Sequence, residues 1–280
     1  MIQLIMLKKL FLFIALILSS CEASDINKVY YLTFDFRNSP QEDFKQYQPL
    51  AQYLQDKTGL KFKLYISRYE GVIESIGNGN AQLAITGSIG FLKAEKLYGA
   101  KILVRGLNNQ KKAQYRSFFV TRTDSKIKTL DDIKNHTFIF GNTNSTQGYI
   151  IPRIIFQQNG IDIKSIKKTA NSNSHKGTAM KVILGYYDAG AIQDTLAQKY
   201  EKDGLLRIFH KSNWYPSSGI IISKNIPEDI AKKIKKALLE FNPNNEDLYN
   251  WEQTEMPLGF TDANTSDYDE LRTWLKKLNL

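Results

Sequence analysis

The chain is predicted to be an α/β protein of two lobes, each a mixed, mostly parallel sheet flanked by helices. Three observations carry this expectation. Short β-branched and aromatic runs alternate with helical ones, the alternation starts afresh near Tyr115, and no Pro/Ser/Gly-rich linker separates the halves. Such alternation puts helices on both faces of a sheet and ligands at the carboxyl ends of its strands.

The first residues stand apart from that pattern. Lys8 and Lys9 make a positive start, Leu10 to Leu18 is an unbroken apolar run of nine, and Leu18-Ser19-Ser20 leads into Cys21, the only cysteine of the 280 residues. A membrane-spanning helix needs about 20 apolar residues, so the run reads as a secretory signal and not a permanent span. Residues 1–20 resemble a bacterial lipoprotein signal, whose cleavage leaves Cys21 as a lipid-modified N-terminus; a plain signal peptide with an incidental cysteine is the alternative, and Met6 is an equally good start. One cysteine excludes an intrachain disulfide and a zinc site of several thiolates.

Loss of residues 1–20 removes two lysines and no acid, taking the formal net charge from +10 to +8. The lysines are scattered, with no stripe interleaved with aromatics, which argues against nucleic acid as a partner. Lys232, Lys233, Lys235 and Lys236 share a helix with Ile230, Ile234, Leu238 and Leu239 at helical spacing, the pattern of a solvated face. A basic surface favours anionic solutes or anionic lipid.

In the first lobe, Val29 to Phe34 reads as a strand, Leu50 to Lys57 as the core of a helix, and Phe62 to Ile66 as a strand. Val72 to Ile76 reads as a short helix, Leu83 to Thr86 as a strand, Phe91 to Tyr98 as a helix and Ile102 to Val104 as a strand. In the second, Tyr115 to Thr121 is a strand, Thr129-Leu130-Asp131-Asp132 a helix start, Phe138 to Phe140 a strand and Tyr149 to Gln158 a helix. A strand near Ile166, a helix over Lys176 to Leu184, and strands at Ala189 to Ile192 and Leu205 to Phe209 follow. Connections near Lys112 and Asn213 are expected to cross between lobes. The predicted divisions are therefore 1–20 (leader), 21–112 (lobe 1), 113–213 (lobe 2) and 214–280 (return to lobe 1, with amphipathic closing helices at Ile230 to Phe241 and Tyr268 to Leu278).

Phe140 to Arg153 is the most informative stretch. A strand that ends in small polar residues and passes directly into a helix gathers unpaired backbone N–H groups and the positive end of the helix dipole at one point, which suits an oxyanion. Ser145 and Thr146 add hydroxyls there, and Gly148 allows close backbone approach; the competing reading is that Ser145 or Thr146 only caps the helix. The spacing of a nucleotide P-loop is absent.

Arg68-Tyr69-Glu70-Gly71-Val72-Ile73-Glu74 resembles the Tyr-x-Gly-Val-Ile-Glu segment of the periplasmic solute-binding proteins of phosphonate and phosphite ABC importers. Ala84-Ile85-Thr86-Gly87, Tyr115-Arg116-Ser117, Leu130-Asp131-Asp132-Ile133-Lys134, Ser145-Thr146-Gln147-Gly148 to Pro152-Arg153, Ser174-His175, Tyr187-Asp188-Ala189-Gly190-Ala191 and Tyr215-Pro216 continue the likeness in order, from about Val29 to Asp229. The resemblance implies a clamshell of the periplasmic-binding-protein type II fold that closes on a small oxyanion (phosphonate, phosphite or phosphate-like) and hands it to an ABC permease. It also implies a monomer without cofactor or metal, lipid-anchored in the cell envelope through Cys21 and facing the periplasm or the exterior. Carried over residue by residue, it makes Ser145, Thr146, His175 and Tyr69 ligand contacts, with Tyr69 facing the others from the opposite lobe. Three positions depart from the family pattern: Gln147, itself a candidate ligand contact, replaces a third serine, Phe91 a second tyrosine, and Ser218 an acid that follows the proline in many members.

Other residues are weighed on position. Gln193 and Asp194 close a strand at its carboxyl end, where Gln193 is a candidate contact and Asp194 either meets a cationic group or caps the next helix. Asp188 is expected to order the turn entering its strand. Arg37 and Arg68 could each pair with an anion, the commoner reading for both being surface arginine, and His136 and His210 are expected at the surface. A Ser145, His175, Asp188 hydrolase lacks a Gly-x-Ser-x-Gly elbow, and three histidines without a His-x-x-x-His pair offer no obvious metal set. A binding protein that reports to a membrane sensor kinase is the other reading compatible with the fold.

Overall fold

The computed structural model describes residues 28–66 and 71–280. Cys21, Arg68 and Tyr69 lie outside the described residues, as do residues 1–20. The strands are β1 (Val29–Phe34), β2 (Lys61–Leu64), β3 (Leu83–Thr86), β4 (Lys101–Gly106), β5 (Gln114–Tyr115), β6 (Ser117–Thr121), β7 (Thr137–Phe140), β8 (Lys168–Asn171), β9 (Ala189–Gln193), β10 (Arg207–Lys211), β11 (Tyr215–Pro216), β12 (Gly219–Ile222) and β13 (Phe260–Asp262). The α-helices are α1 (Pro40–Thr58), α2 (Val72–Gly77), α3 (Ser88–Tyr98), α4 (Ile151–Gln158), α5 (His175–Ile183), α6 (Asp194–Lys202), α7 (Glu228–Glu240) and α8 (Asp269–Lys277).

Two sheets carry the architecture, one ordered β13-β4-β12-β3-β1-β2 and the other β10-β6-β9-β7-β8. Both are mixed and, as the alternation predicts, most strands run one way, four of six in the first sheet and four of five in the second; the exceptions are β12 and β13 in the first and β6 in the second. In the first, β1 pairs in parallel with β2 and β3, while β12 runs antiparallel to β3 and β4, and β13 to β4. In the second, β7 is parallel to β8 and β9, and β6 is antiparallel to β9 and β10. The physical reason is the double crossing: β6 enters the second sheet, and β12 the first, straight from the other lobe, without a helical crossover to turn them parallel. Between the sheets, β5 and β11 pair antiparallel, Tyr115 opposite Tyr215, as a two-stranded connection.

Local chemistry explains most elements. Ser39 caps α1 by accepting from Glu42 N–H while Glu42 returns to the Ser39 N–H, Pro40 occupies the first turn, and Gly59 ends the helix at φ +69°. The helix runs through Pro49, so it starts well before the apolar core at Leu50, because the cap and the burial of Tyr47, Leu50 and Leu54 outweigh one lost backbone bond. Each such fully buried side chain contributes roughly 1.5–3 kcal/mol. The strand expected near Ile166 lies slightly later, at β8, because a 3₁₀ turn at Ile163–Ser165 buries Ile166 as a loop residue.

One apolar core packs α1 and α7 against the first sheet around Tyr30, Leu54, Ile220 and Ile234. A second runs continuously from Phe91 and Ala84 through Tyr115 and Tyr215 to Phe119, Phe138 and Phe156, and so joins the lobes. A third packs Phe118, Ile139 and Ile192 against Ala179 and Ala197 of α5 and α6. The carboxyl ends of β1 and β3 face those of β7, β8 and β9 across the interlobe cleft. Among the described residues no helix is long and apolar enough to cross a membrane.

Candidate functional site

The cleft contains a cavity of about 190 Å³. Asp35, Arg37, Gly87, Tyr115, Ser145, Thr146, Gln147, His175, Ser218 and Glu255 are among its lining residues. The donor end comes from the second lobe. After β7, Gly141 to Ser145 turns into a π-helical turn at Thr146–Ile150 that continues as α4. Wide π turns recur at functional sites. Here Tyr149 and Ile150 N–H both reach Ser145 O, and Gly148 N–H goes to Ser145 Oγ at 2.9 Å, while the N–H groups of Thr146 and Gln147 have no protein acceptor among the described residues. Those two N–H groups and the dipole behind them suit a negatively charged ligand.

Ser145 is thus both cap and cavity residue. Its oxygen accepts from Gly148 N–H and lies 3.4 Å from His175 Nε2, which leaves the hydroxyl hydrogen to point elsewhere. His175 opens α5 after the cap Ser174, and only 7% of its surface is exposed. Gln193 N–H donates to His175 Nδ1 at 3.2 Å, so the neutral ring carries its hydrogen on Nε2, toward Ser145. Burial, with the nearby Arg37 guanidinium, pushes the His175 pKa down to about 3.

Thr146 reaches across the cleft. Its Oγ1 accepts from Ile89 N–H at 3.0 Å, in the first turn of α3, and Ser88 N–H and Oγ meet the Tyr115 hydroxyl at 3.4 and 3.0 Å. Gly87 N–H, just before α3, donates to Asp35 Oδ2 at 3.3 Å, as does Thr86 Oγ1 at 2.6 Å. Lys93 Nζ to Asn144 Oδ1 at 2.6 Å and Lys176 Nζ to Glu42 at 3.0 Å also bridge the lobes. The cleft is shut.

The far wall is a buried polar cluster. Arg37 is 6% exposed, so the surface reading of this residue is corrected: its guanidinium pairs with Glu255 and donates to Ser218 Oγ at 3.2 Å and Gln193 Oε1 at 3.4 Å. Ser218 Oγ in turn donates to Glu255. Residues from β1's end, the turn before β12, the end of β9 and the C-terminal segment meet here, each supplying what another lacks. Arg37 Nε has no partner among the described residues.

Several expected residues sit differently from their sequence positions. Gln147 lines the cavity, yet its side-chain Nε2 donates to Arg116 O at 2.9 Å and approaches Asp194 Oδ1 at 3.4 Å, so it offers the cavity backbone N–H. Gln193 lies behind the wall, its amide held by Arg37, Thr195 and Gln253 O, and it orients His175. Gly148 serves a different approach from the one expected: a Cβ there would stand 3.0 Å from the Gly141 Cα, so the glycine lets two backbone segments touch. Phe91 packs against Tyr268 at 4.8 Å, away from the cavity, and Tyr115 brings a hydroxyl to it instead. Asp188 accepts from Thr137 N–H and Oγ1 at the entrance of β7, so it orders that turn and does not orient His175. Asp194 opens α6 and accepts from Thr195 and Arg116 N–H, and burial pushes its pKa up to about 6. His136 and His210 are half-buried, His210 against Phe119 at 5.3 Å.

Asp35, Tyr115 and Glu255 were not singled out by sequence reasoning. Asp35 shares with Arg37 the one signal available, a place just past the first strand; Glu255 lies in an irregular segment without periodicity.

The family model described as "ABC transporter, phosphonate, periplasmic substrate-binding protein" matches residues 33–268. The phosphonates-binding periplasmic protein of Escherichia coli is 25% identical over 229 residues, which cover 78% of this chain and 68% of the relative. The phosphate-import protein PhnD of Mycolicibacterium smegmatis is 26% identical over 249 residues, covering 79% of this chain and 77% of the relative. The structure of PhnD1 from Prochlorococcus marinus in complex with methylphosphonate superposes with a TM-score of 0.78 over 90% of this chain and 98% of that one, at 19% identity.

Proposed function

The chain belongs to the family of periplasmic substrate-binding proteins of phosphonate ABC transporters, and from that premise we propose that it captures a small phosphorus oxyanion (phosphonate, phosphite or phosphate-like) in the interlobe cavity and delivers it to an ABC permease. The observation that carries this reading is the convergence, in one cavity, of the Thr146 and Gln147 N–H groups, the Ser145 hydroxyl and the His175 Nε2–H. Four donors gathered at two helix openings complement a tetrahedral anion. Tyr69, from the first lobe, is proposed to complete the grip, and Gln193 to act through His175. The protein is proposed to work as a monomer held to the outer side of a membrane by lipid on Cys21.

Calorimetric titration with phosphate, phosphite, methylphosphonate, 2-aminoethylphosphonate, sulfate and arsenite tests the reading. Saturable one-site binding of at least one phosphorus oxyanion supports it, and binding of none of them overturns it.

A further inference from the structure

A carboxylate lining an anion cavity is an electrostatic contradiction that needs a resolution. Asp35 lines the same cavity as Ser145, Thr146, Gln147 and His175. It stands at the donor end and not at the far wall: Oδ2 takes the Gly87 N–H, and a Cβ on Gly87 would lie 3.0 Å from Thr146 Oγ1. An oxyanion seated on the Thr146 helix opening therefore lies beside the Asp35 carboxylate. Two bare negative charges side by side in a protein cavity repel.

We propose, building on the oxyanion reading above, that Asp35 shares a proton with the bound anion and so makes the site selective for oxyanions that carry an ionisable hydrogen. A monoanionic phosphonate, phosphite or phosphate donates its P–OH to the free oxygen of Asp35. A dianion from solution takes up one proton, which then sits between ligand oxygen and carboxylate. Sulfate and sulfonates hold no such proton at neutral pH and leave the two charges opposed.

The surroundings leave this role to Asp35. Glu255, from the C-terminal segment, is engaged by Arg37 and Ser218. His175, on α5, already has Nδ1 occupied by Gln193 N–H and presents a hydrogen on Nε2. Thr86 and Gly87 donate to Asp35 from the β3 end, Tyr115 is a neutral phenol held at Ser88, and among the described residues Arg37 is the one cation of the lining set. Burial raises the Asp35 pKa in spite of Thr86, Arg37 and Gly87, and the Glu255 carboxylate adds to the rise.

The test is calorimetry of the full mature chain with methylphosphonate in alkaline buffers of differing ionisation enthalpy, which counts protons. Wild type takes up about one proton per site, His175→Gln retains that uptake, and Asp35→Asn binds with uptake near zero. Methanesulfonate, of the same shape without the proton, binds wild type at least about 10³-fold more weakly than methylphosphonate, and Asp35→Asn recovers tenfold or more of that loss. Methylphosphonate binding without proton uptake, or uptake unchanged in Asp35→Asn, overturns the proposal while leaving the oxyanion reading intact. A preference for 2-aminoethylphosphonate over ethylphosphonate that Asp35→Asn abolishes overturns it too, because the carboxylate would then be reading a cation. Failure of every phosphorus oxyanion to bind removes the reading on which it rests.

Discussion

Gln193 donates its backbone N–H to Nδ1 of His175 at 3.2 Å, and the imidazole therefore turns a hydrogen-bearing Nε2 toward Ser145 Oγ, 3.4 Å away. A main-chain group at the end of β9 thus sets the tautomer of a side chain at the start of α5. No substitution at Gln193 other than proline removes that donor, so Gln193 variants should disturb the Arg37 cluster more than the tautomer.

His175 makes stability depend on pH. Its folded pKa, about 3, lies below the ordinary histidine value of 6.5, so the unfolded chain binds the extra proton first. The stabilisation is complete above about pH 6.5 and is lost as pH falls toward about 3, at up to roughly 1.4 kcal/mol per pH unit. Urea denaturation of wild type and His175→Gln at successive pH values should show wild type losing stability faster on acidification. Parallel curves would contradict the burial of a neutral ring.

Ser145→Ala removes a hydroxyl from the proposed anion contacts and the acceptor for Gly148 N–H at once. Hydrogen bonds to a charged ligand contribute about 1.5–3 kcal/mol each, so affinity should fall roughly 10- to 150-fold. Loss of the cap should cost about 0.5–2 kcal/mol of folding stability. A lowered melting temperature with unchanged affinity would make Ser145 a cap alone.

Glu255→Gln should be among the most damaging single changes. It leaves the Arg37 guanidinium buried without its counter-charge, which costs about 3–5 kcal/mol. Pairing it with Arg37→Met removes the unmatched charge and should recover most of that loss. Denaturant midpoints of both single variants and the double variant measure this directly; a double variant as unstable as Glu255→Gln alone would place the damage elsewhere.

Lys176 and Glu42 join the lobes at the rim, with side chains about two-fifths exposed (43% and 39%). A pair so accessible contributes no more than about 1 kcal/mol and weakens with salt. Lys176→Glu reverses the attraction and should open the unliganded cleft, seen as a larger radius of gyration by small-angle scattering, with ligand affinity reduced less than about tenfold. Unchanged scattering would mean that the inner contacts, Thr146 with Ile89 foremost, hold the cleft shut unaided.

Cys21→Ala should release the protein from membranes into the soluble fraction, because the apolar run ahead of it is shorter than the ~20 residues a span requires. Retention of the variant at high salt would rule out lipid as the anchor.

What the sequence determined by itself is what short-range chemistry controls. The strands β1 and β3 have the bounds their β-branched and aromatic runs suggest, and the helix opening at Ser145 was legible because a cap and the N–H groups it serves lie within three residues of one another. The tertiary structure alone decided the polar wall and the role of several residues. Arg37 and Glu255 are 218 positions apart, and nothing near either one signals that the other will neutralise it. Only the assembled sheets bring the end of β1 beside the C-terminal segment and turn what reads as a surface arginine into a buried one. Gly148 was legible as a point of close approach, but its neighbour, Gly141, was known only once the chain had turned back on itself. Phe91 turns away from the cavity and Tyr115 lines it for the same reason. Helical phase decides which side of α3 meets Tyr268, and the crossing strands decide which tyrosine reaches the cleft. Local preference selects the elements; long-range packing, in which burial of one charge requires another, selects what faces the cavity.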